Sequence, residues 1–312
     1  MDNWNEVTGV HRQVYYYSLL LFAVAAISTS AIFVKLSSAP APIIAFYRMA
    51  FSALILLPFI FMGKSLNELR LMPWKQWLWS ILSGIFLAVH YILWFESLRF
   101  TSIASSTVIV TLQPIFAFIG GYFLYAERLS ILAVCGGLMS ILGSFIIGFG
   151  DFQIGGMALF GDILAFIAAM MITIYFLIGQ HVRKTISLVP YAFIGYASSS
   201  LFLVIYSLAV RVPFTGYPAK DWVWFFSLAF VSTILGHSIF NWLIKWLNTS
   251  TISMSILGEP VGTYIFAFFI FGDRLTPAQI IGSGIILIGI YVFLKFNKRL
   301  PIDPVKVEKF TG

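Results

Sequence analysis

The chain has 312 residues, of which 60% are hydrophobic and 10% charged, and its formal net charge is +7. Soluble domains carry about 25% charged residues, so this composition excludes a soluble globular protein and any large aqueous domain. The apolar runs are long and do not alternate in segments of about ten residues, which excludes a membrane β-barrel. The sequence therefore predicts an all-α integral membrane protein.

Ten apolar stretches follow one another along the chain, and we predict a transmembrane helix in each. A polar N-terminal head, residues 1–14, precedes the first stretch, which is too long for the core of a cleaved signal peptide. A basic tail, residues 297–312, follows the last. The ten stretches are 15–35, 42–62, 75–97, 101–125, 130–149, 158–180, 188–211, 221–245, 249–272 and 276–296.

The basic residues are explained by membrane topology, so we expect no nucleic-acid partner. With ten spans, both termini lie on one side of the bilayer. Segments on that side hold 13 of the Lys and Arg residues, and segments on the other side hold 5. Because cytoplasmic loops are enriched in Lys and Arg, we predict that both termini are cytoplasmic and that the protein lies in the cytoplasmic membrane.

The two halves of the chain resemble each other. "QPIFAFIGGYFLYAERLS", residues 113–130, aligns with "EPVGTYIFAFFIFGDRLT", residues 259–276, at an offset of 146. We predict two five-helix repeats, 15–149 and 158–296, which must insert in opposite orientations because five is odd. The aligned pairs include Pro114 with Pro260, Gly136 with Gly282, and Gly143 with Gly289. We expect the prolines to interrupt their helices and the glycines to serve helix packing.

Two further motifs accompany the repeat: "AFYRMAFSALILLPF" at 45–59 and "GDILAFIAAMMITIYF" at 161–176. With these motifs, nearly the whole chain resembles the EamA-type branch of the drug/metabolite transporter superfamily. The resemblance implies two five-helix halves around a central cavity and transport of small metabolites, often outward. It points to no particular substrate.

Glu259 is the candidate of greatest interest, because it is the only charged residue between Lys245 and Asp273. A buried carboxylate in a membrane is expensive and is by default a functional candidate. Ser255 and Thr263 lie four residues to either side of it and share its face in a continuous helix. This group would suit a proton, a cation or an ammonium group, and the alternative is a structural carboxylate.

Several other polar residues within the predicted spans are candidates for a substrate site. Arg48 could meet an anionic substrate group or neutralise an acid, and the alternative is a snorkelling or helix-pairing role. His90, with Tyr91 and Trp94, could line an aromatic cavity through cation–π contacts, or it could be an interhelical hydrogen-bonding residue.

The remaining candidates are weaker. Thr107 and Thr111 precede Pro114 and could equally satisfy their own backbone. Gln113 aligns with Glu259, so the charge is present in one half only. His237 aligns approximately with His90. Asn241 follows His237 by one helical turn.

These features predict a secondary transporter that exports small metabolites, amino acids or related compounds first, by alternating access. Toxic-compound efflux and a channel-like facilitator are the alternatives. The expected partners are a small-molecule substrate, the lipid bilayer and protons as a possible coupling ion, and nothing in the pattern points to an oligomeric state. No motif predicts a cofactor, a metal or an enzyme: the phosphate-binding loop GxxxxGK[ST] and the hydrolase motifs HExxH and GxSxG are absent.

Overall fold

A computed structural model describes residues 2–101, 103–148, 156–272 and 274–297, and all its regular elements are helices. One of them is a π-helical segment, Leu228–His237. The α-helices are α1 Asp2–Ser28, α2 Ser30–Leu36, α3 Ala41–Phe61, α4 Ser65–Leu71, α5 Trp74–Phe100, α6 Ile103–Val110, α7 Gln113–Tyr125, α8 Ile131–Gly148, α9 Met157–Val182, α10 Leu188–Ala209, α11 Ala219–Ser227, α12 Ser238–Leu243, α13 Thr249–Ile256, α14 Glu259–Phe271 and α15 Pro277–Phe296.

Nine helical stretches among the described residues are long and apolar enough to cross a membrane, which is one fewer than predicted. The tenth prediction, 130–149, corresponds to α8. This helix has 18 residues, about 27 Å of helix against a hydrocarbon core of about 30 Å. Large apolar side chains such as Leu21, Phe123 and Phe269 are exposed on the outside of the bundle. This surface is the one expected to face lipid.

α1 begins at Asp2 and continues without a break into the first span, so it includes the residues of the head predicted at 1–14. Most of the predicted tail, from 298 onward, lies outside the described residues. A short helix that was not predicted, α4, connects the second and third spans and has no buried residue.

The fourth and ninth predicted spans are each broken into two helices. α6 and α13 begin and end 146 residues apart, and so do α7 and α14. The residues that directly follow α7 and α14 are Ala126 and Gly272. Both adopt the left-handed conformation, with φ of 53° and 71°. The offset seen in the sequence therefore extends to the breaks and ends of these helices.

α8 and α15 cross closely through glycines. A Cβ on Gly136 would lie 2.7 Å from the carbonyl oxygen of Gly289, and one on Gly143 would lie 2.7 Å from that of Gly282. Small residues allow such close backbone approach, so the packing role predicted for these four glycines is confirmed. Since the later glycine of α8 meets the earlier glycine of α15, the two helices run antiparallel.

The main core joins both halves of the chain. α5 packs along α9, α3 along α10, and α1 along the π-helical segment. The largest fully buried side chains of this core include Tyr175, Phe176, Tyr196 and Phe240. The helices beside the two breaks pack on the same framework: α6, α7 and α13 contact α9, and α13 and α14 contact α1.

Replacing Gly136 with Ala tests the glycine crossing. Its Cβ would meet backbone atoms, 2.6 Å from Phe293 N and 2.7 Å from Gly289 O, which cannot move without shifting α15. We expect a loss of about 1–3 kcal/mol, the usual effect of overpacking, and a lower melting temperature in detergent. Gly284→Ala is the matched control, because nothing lies within 4 Å of its added Cβ. Equal melting temperatures for the two variants would contradict the close crossing.

Candidate functional site

The two helix breaks lie against each other. Gln113, the first residue of α7, donates its side-chain amide to Ser253 Oγ on α13 at 3.0 Å. Its backbone carbonyl accepts a hydrogen bond from Thr173 Oγ1 on α9 at 3.3 Å. Gln113 is only 4% exposed, so it serves as a buried joint between both breaks and α9.

A proline lies in the first turn of the second helix at each break. Pro114 and Pro260 occupy the second positions of α7 and α14. The first N–H groups of a helix have no partner within it, so a proline there removes no intrahelical bond. Glu259 is the first residue of α14, where the helix dipole favours a negative charge.

A cavity of about 230 Å³ opens beside the two breaks. It is lined by residues of the first, second, third, fourth, sixth, eighth and ninth predicted spans. Its volume is slightly below the about 300–1,000 Å³ typical of pockets for drug-sized ligands, so it suits a small metabolite. Both helix breaks border it, with Gln113 and Pro114 on one side and Glu259 and Pro260 on the other.

Arg48 lines this cavity and is held by two hydroxyl groups. Its Nε donates to Thr233 Oγ1 at 2.8 Å, and its Nη1 donates to Ser30 Oγ at 3.0 Å. The guanidinium also lies 5.2 Å from the ring centroid of Tyr91. Arg48 is 4% exposed, and its Nη2 has no hydrogen-bond partner in the described part of the chain. It is thus fixed in place with one donor group unused.

His90, Tyr91 and Trp94 form an aromatic wall of the cavity. His90 Nδ1 lies 3.0 Å from the carbonyl oxygen of Ala168 on α9. Since a carbonyl can only accept, Nδ1 carries the proton and Nε2 is the free acceptor in the neutral ring. The ring also stacks on Trp94 with centroids 6.0 Å apart. His90 therefore combines the two predicted roles, as a hydrogen bond between helices and as part of the cavity wall.

His237 and Asn241 have different positions, although they are one turn apart. His237 ends the π-helical segment, lines the cavity and stacks on Phe176. Asn241 is fully buried outside the cavity lining and donates to the hydroxyl of Tyr175. Asn241, which was predicted for the site, therefore lies in the core instead of the cavity lining, because its side-chain amide is used by Tyr175.

The predicted face of Ser255, Glu259 and Thr263 is divided by the helix break. Glu259 and Thr263 line the cavity, but Ser255 lies on α13, outside the lining, and donates to Thr251 O at 2.9 Å. Thr263 donates to the carbonyl of Ser28 at 2.9 Å, which ties α14 to α1. Spacing of i and i+4 places residues on one face only in an unbroken helix.

Thr111 lines the cavity within the first break and donates to its own backbone, to Val108 O, at 2.6 Å. Both the lining position and the backbone role that were considered for it therefore apply. The side chain of Thr107 lies outside the described part of the structure.

Glu127, which the sequence analysis did not single out, is the centre of a hydrogen-bond network outside the cavity lining. Its carboxylate accepts from Gln180 Nε2 at 2.7 Å, Asn248 Nδ2 at 2.8 Å and Ser250 Oγ at 3.0 Å. Gln180 Oε1 in turn accepts from Thr249 N and Thr249 Oγ1, both at 2.6 Å. The network joins the ends of α7 and α9 to the start of α13. Asn248, a helix-capping residue type just before α13, was the available sequence signal.

Arg183 connects the same end of the molecule to α12. It is 3% exposed and donates to the backbone carbonyls of Asn241, at 2.9 Å, and Ile186. Burial lowers the pKa of Arg183 to about 10, so it remains charged at neutral pH. This end of the bundle is therefore held by a buried cation as well as by the Glu127 network.

Two aspartates inside the spans were also missed. Asp162 accepts from Thr101 Oγ1 at 2.7 Å and Ser105 Oγ at 2.8 Å, at the start of α6. Asp221 accepts from Ser38 N and Ser38 Oγ at 3.1 and 2.6 Å. Neither aspartate lines the cavity. Each accepts hydrogen bonds from residues close to a helix end and so holds that end in place. Among the described residues, no group of three or more His, Cys, Asp or Glu could hold a metal.

The sequence matches the EamA-like transporter family twice, over residues 14–149 and 159–295. The chain belongs to this family. The resemblance found from the motifs is thereby confirmed, and so is the presence of two copies of one unit.

Curated relatives of this EamA-family chain are named as transporters. An uncharacterized transporter of Archaeoglobus fulgidus is 27% identical over 43% of this chain, and the match spans only 47% of that relative. The uncharacterized transporter YoaV of Bacillus subtilis is 24% identical over 65% of this chain and 70% of its own length. The riboflavin transporter ImpX of Fusobacterium nucleatum is 22% identical over 64% of this chain and 69% of its own length.

A solved crystal structure shares the fold, with a TM-score of 0.78 and 18% identity over 92% of this chain and 99% of the other. Family, relatives and apolar helices together identify a multi-pass membrane protein of a transporter family. Its general function is membrane transport.

Thiol labelling of two adjacent residues tests whether the cavity of this EamA-family chain is open to water. Ile256 lines the cavity and Ser255 does not. In a background with Cys135, the single cysteine, replaced by Ser, we expect a water-soluble methanethiosulfonate reagent to label Ile256→Cys. We expect Ser255→Cys, which is 4% exposed, to label at least about tenfold more slowly because the reagent cannot reach it. Equal labelling rates would contradict the assigned lining.

Proposed function

We propose that the protein is a secondary transporter that exports small metabolites, amino acids or related compounds first, across the cytoplasmic membrane by alternating access. The observation that carries the proposal is the cavity at two paired helix breaks, with Glu259 at the start of α14. Broken helices that present half-helix ends to a ligand are the usual construction of substrate sites in secondary transporters. Irregular backbone inside a membrane is tolerated where it lines such a cavity.

The proposed topology has ten spans, with α8 as the fifth, and two five-helix repeats of opposite orientation. The antiparallel crossing of α8 and α15 supports it, because these helices occupy equivalent places in the two repeats. The two repeats also pack on each other in equivalent ways. α5 of the first repeat lies along α9 of the second, and the π-helical segment of the second repeat lies along α1 of the first. The excess of Lys and Arg on one side, 13 against 5, supports cytoplasmic termini.

In this topology the Glu127 network lies at the cytoplasmic end, and we infer that it closes the cavity on that side. The network joins α7, α9 and α13, which belong to different repeats. Breaking these hydrogen bonds would let the repeats separate at this end, as alternating access requires. The structure then corresponds to an outward-facing state.

Glu259 is proposed to bind either a proton or the ammonium group of the substrate. Its carboxylate lines the cavity, and no hydrogen bond or ion pair from the described residues occupies it. A carboxylate held without a protein partner beside an apolar cavity is poised for a cation or a proton.

Riboflavin, named for the Fusobacterium relative, is a less favoured substrate, because a three-ring flavin with its sugar-alcohol chain is large for a cavity of about 230 Å³. Efflux of toxic cationic compounds is the second candidate. The rings of His90, Tyr91 and Trp94 favour it, since aromatic faces attract organic cations.

Metabolite profiles of spent medium test the export proposal. Cells would overexpress the wild type, Glu259→Gln, the control Glu96→Gln or an empty vector. Glu96 is a suitable control because its carboxylate lies outside the cavity and pairs with Arg99 and Tyr206. We expect one metabolite to accumulate with wild type and Glu96→Gln, and about tenfold less of it with Glu259→Gln, because a hydrogen bond to a charged group contributes about 1.5–3 kcal/mol.

Each other outcome of this experiment has a definite meaning. Equal release by wild type and Glu259→Gln, with the same pH profile, would make the carboxylate structural. Coinciding profiles for all four strains, with membrane insertion verified, would contradict export. Resistance to cationic dyes with no released metabolite would favour toxic-compound efflux.

Glu127→Gln tests the proposed cytoplasmic closure. The substitution removes the negative charge that accepts three hydrogen bonds, so we expect the cavity to open more often to the cytoplasm. In inside-out vesicles, an impermeant thiol reagent should then label Ile256→Cys several-fold faster. The control is Glu96→Gln, since Glu96 also accepts two hydrogen bonds, from Arg99 and Tyr206, but at the opposite end of the spans and outside the cavity lining. An unchanged labelling rate in the Glu127 variant would contradict the proposed role of this network in closing the cavity.

A further inference from the structure

Four residues that line the cavity each carry a buried polar atom without a hydrogen-bond partner among the described residues. These atoms are Arg48 Nη2, Tyr91 OH, Trp94 Nε1 and His237 Nδ1. Buried polar groups are almost always paired in proteins, because an unpaired one loses its hydration without compensation. Four such atoms in the wall of one cavity leave hydrogen-bonding capacity that a bound ligand can use after a small turn of these side chains.

The chemistry of these atoms defines the ligand group. Arg48 and Trp94 can only donate hydrogen bonds, Tyr91 can donate, and His237 Nδ1 donates in one neutral tautomer. Such a set is complementary to an acceptor with several lone pairs and a negative charge. A carboxylate fits this description, and arginine binds carboxylates with particularly good geometry.

The guanidinium is prepared for such a role by its surroundings. Thr233 and Ser30 hold Nε and Nη1, which fixes the plane of the group. Neither partner carries a charge, so the positive charge of Arg48 is not neutralised by them. Among the described lining residues Glu259 is the only acid, and Arg48 forms no ion pair with it. The cavity therefore has a cationic and an anionic pole, which interact electrostatically but form no ion pair.

We propose that Arg48, Tyr91, Trp94 and His237 form a carboxylate subsite, separate from Glu259, and that the substrate is a zwitterion held between the two poles. The carboxylate binds at Arg48 and the ammonium group at Glu259. The aromatic and aliphatic lining between them, such as Phe176 and Ile172, suits an apolar or aromatic body. This inference rests on the proposed function and narrows its substrate class to amino acids with an apolar side chain.

Binding of three related compounds to the full chain in lipid nanodiscs tests the subsite by calorimetry. Phenylalanine carries both charges, phenylalaninamide lacks the carboxylate, and 3-phenylpropionate lacks the ammonium group. We expect phenylalanine to bind wild type about tenfold or more tightly than either analogue, since each analogue loses contacts to a charged group.

Two conservative variants keep the test independent of folding. Tyr91→Phe and Trp94→Phe each remove an unpartnered donor and retain a ring. We expect both to weaken phenylalanine and 3-phenylpropionate about five- to tenfold and to leave phenylalaninamide unchanged. Trp224→Phe is the matched control, because it also removes an unpartnered indole N–H but lies outside the cavity. Glu259→Gln should show the opposite pattern, weakening the two ammonium compounds and sparing 3-phenylpropionate.

The proposal is overturned if neither carboxylate compound binds, or if Tyr91→Phe and Trp94→Phe weaken phenylalanine and its amide equally. Its failure is distinguishable from failure of the export proposal. An exported metabolite without a carboxylate would overturn the subsite and leave export in place. Binding with the expected pattern, but no metabolite in the medium, would support the subsite and contradict export.

Discussion

The structure depends on one constraint: inside a bilayer, a backbone group without an internal partner has no water to replace it. This is why the chain forms helices almost throughout, and why the two interruptions are informative. Each break is short, and the helix that follows it has a proline at its second position, where the helix needs no N–H donor. The breaks also share one place, next to each other and beside a cavity. A ligand site is where interrupted backbone is least costly, because polar groups there can meet a ligand.

The polar side chains around the breaks divide into those that hold the protein together and those that remain available. Gln113 forms hydrogen bonds with both Thr173 and Ser253, which joins α7 to α9 and to α13. Thr263 bonds to the backbone of α1. Arg48 belongs to both groups, since two of its nitrogen atoms are held and the third is not. Such a residue is well suited to binding, because its orientation is set before the ligand arrives and less freedom is lost on binding.

Much of this arrangement could be predicted from sequence, because its signals are local or repeated. The apolar runs predicted ten spans, and nine of them are helices long and apolar enough to cross a membrane. The offset of 146 between Pro114 and Pro260 predicted the repeat, which the two family matches confirm. The errors have physical causes. Reasoning by helical spacing assumes a regular helix, and it failed at the break between Ser255 and Glu259. It also gives no information on which helix face meets the core, and Asn241 is buried there against Tyr175. The Glu127 network was also out of reach, since it joins residues about 50 to 120 positions apart.

The difference between Gln113 and Glu259 shows how a duplicated framework can bind an asymmetric ligand. Both residues begin the second helix of a break, at equivalent positions in the two repeats. Gln113 is buried and uses its amide to join the breaks, a role in which an ionised carboxylate would lack the donor that Ser253 accepts from. Glu259 has no such partner and faces the cavity. With Arg48 contributed by the first repeat only, each repeat supplies one charge. Two poles of opposite sign, unlike two copies of one pole, distinguish the ends of a small molecule, and this requires that the repeats diverge at these positions while their helices remain alike.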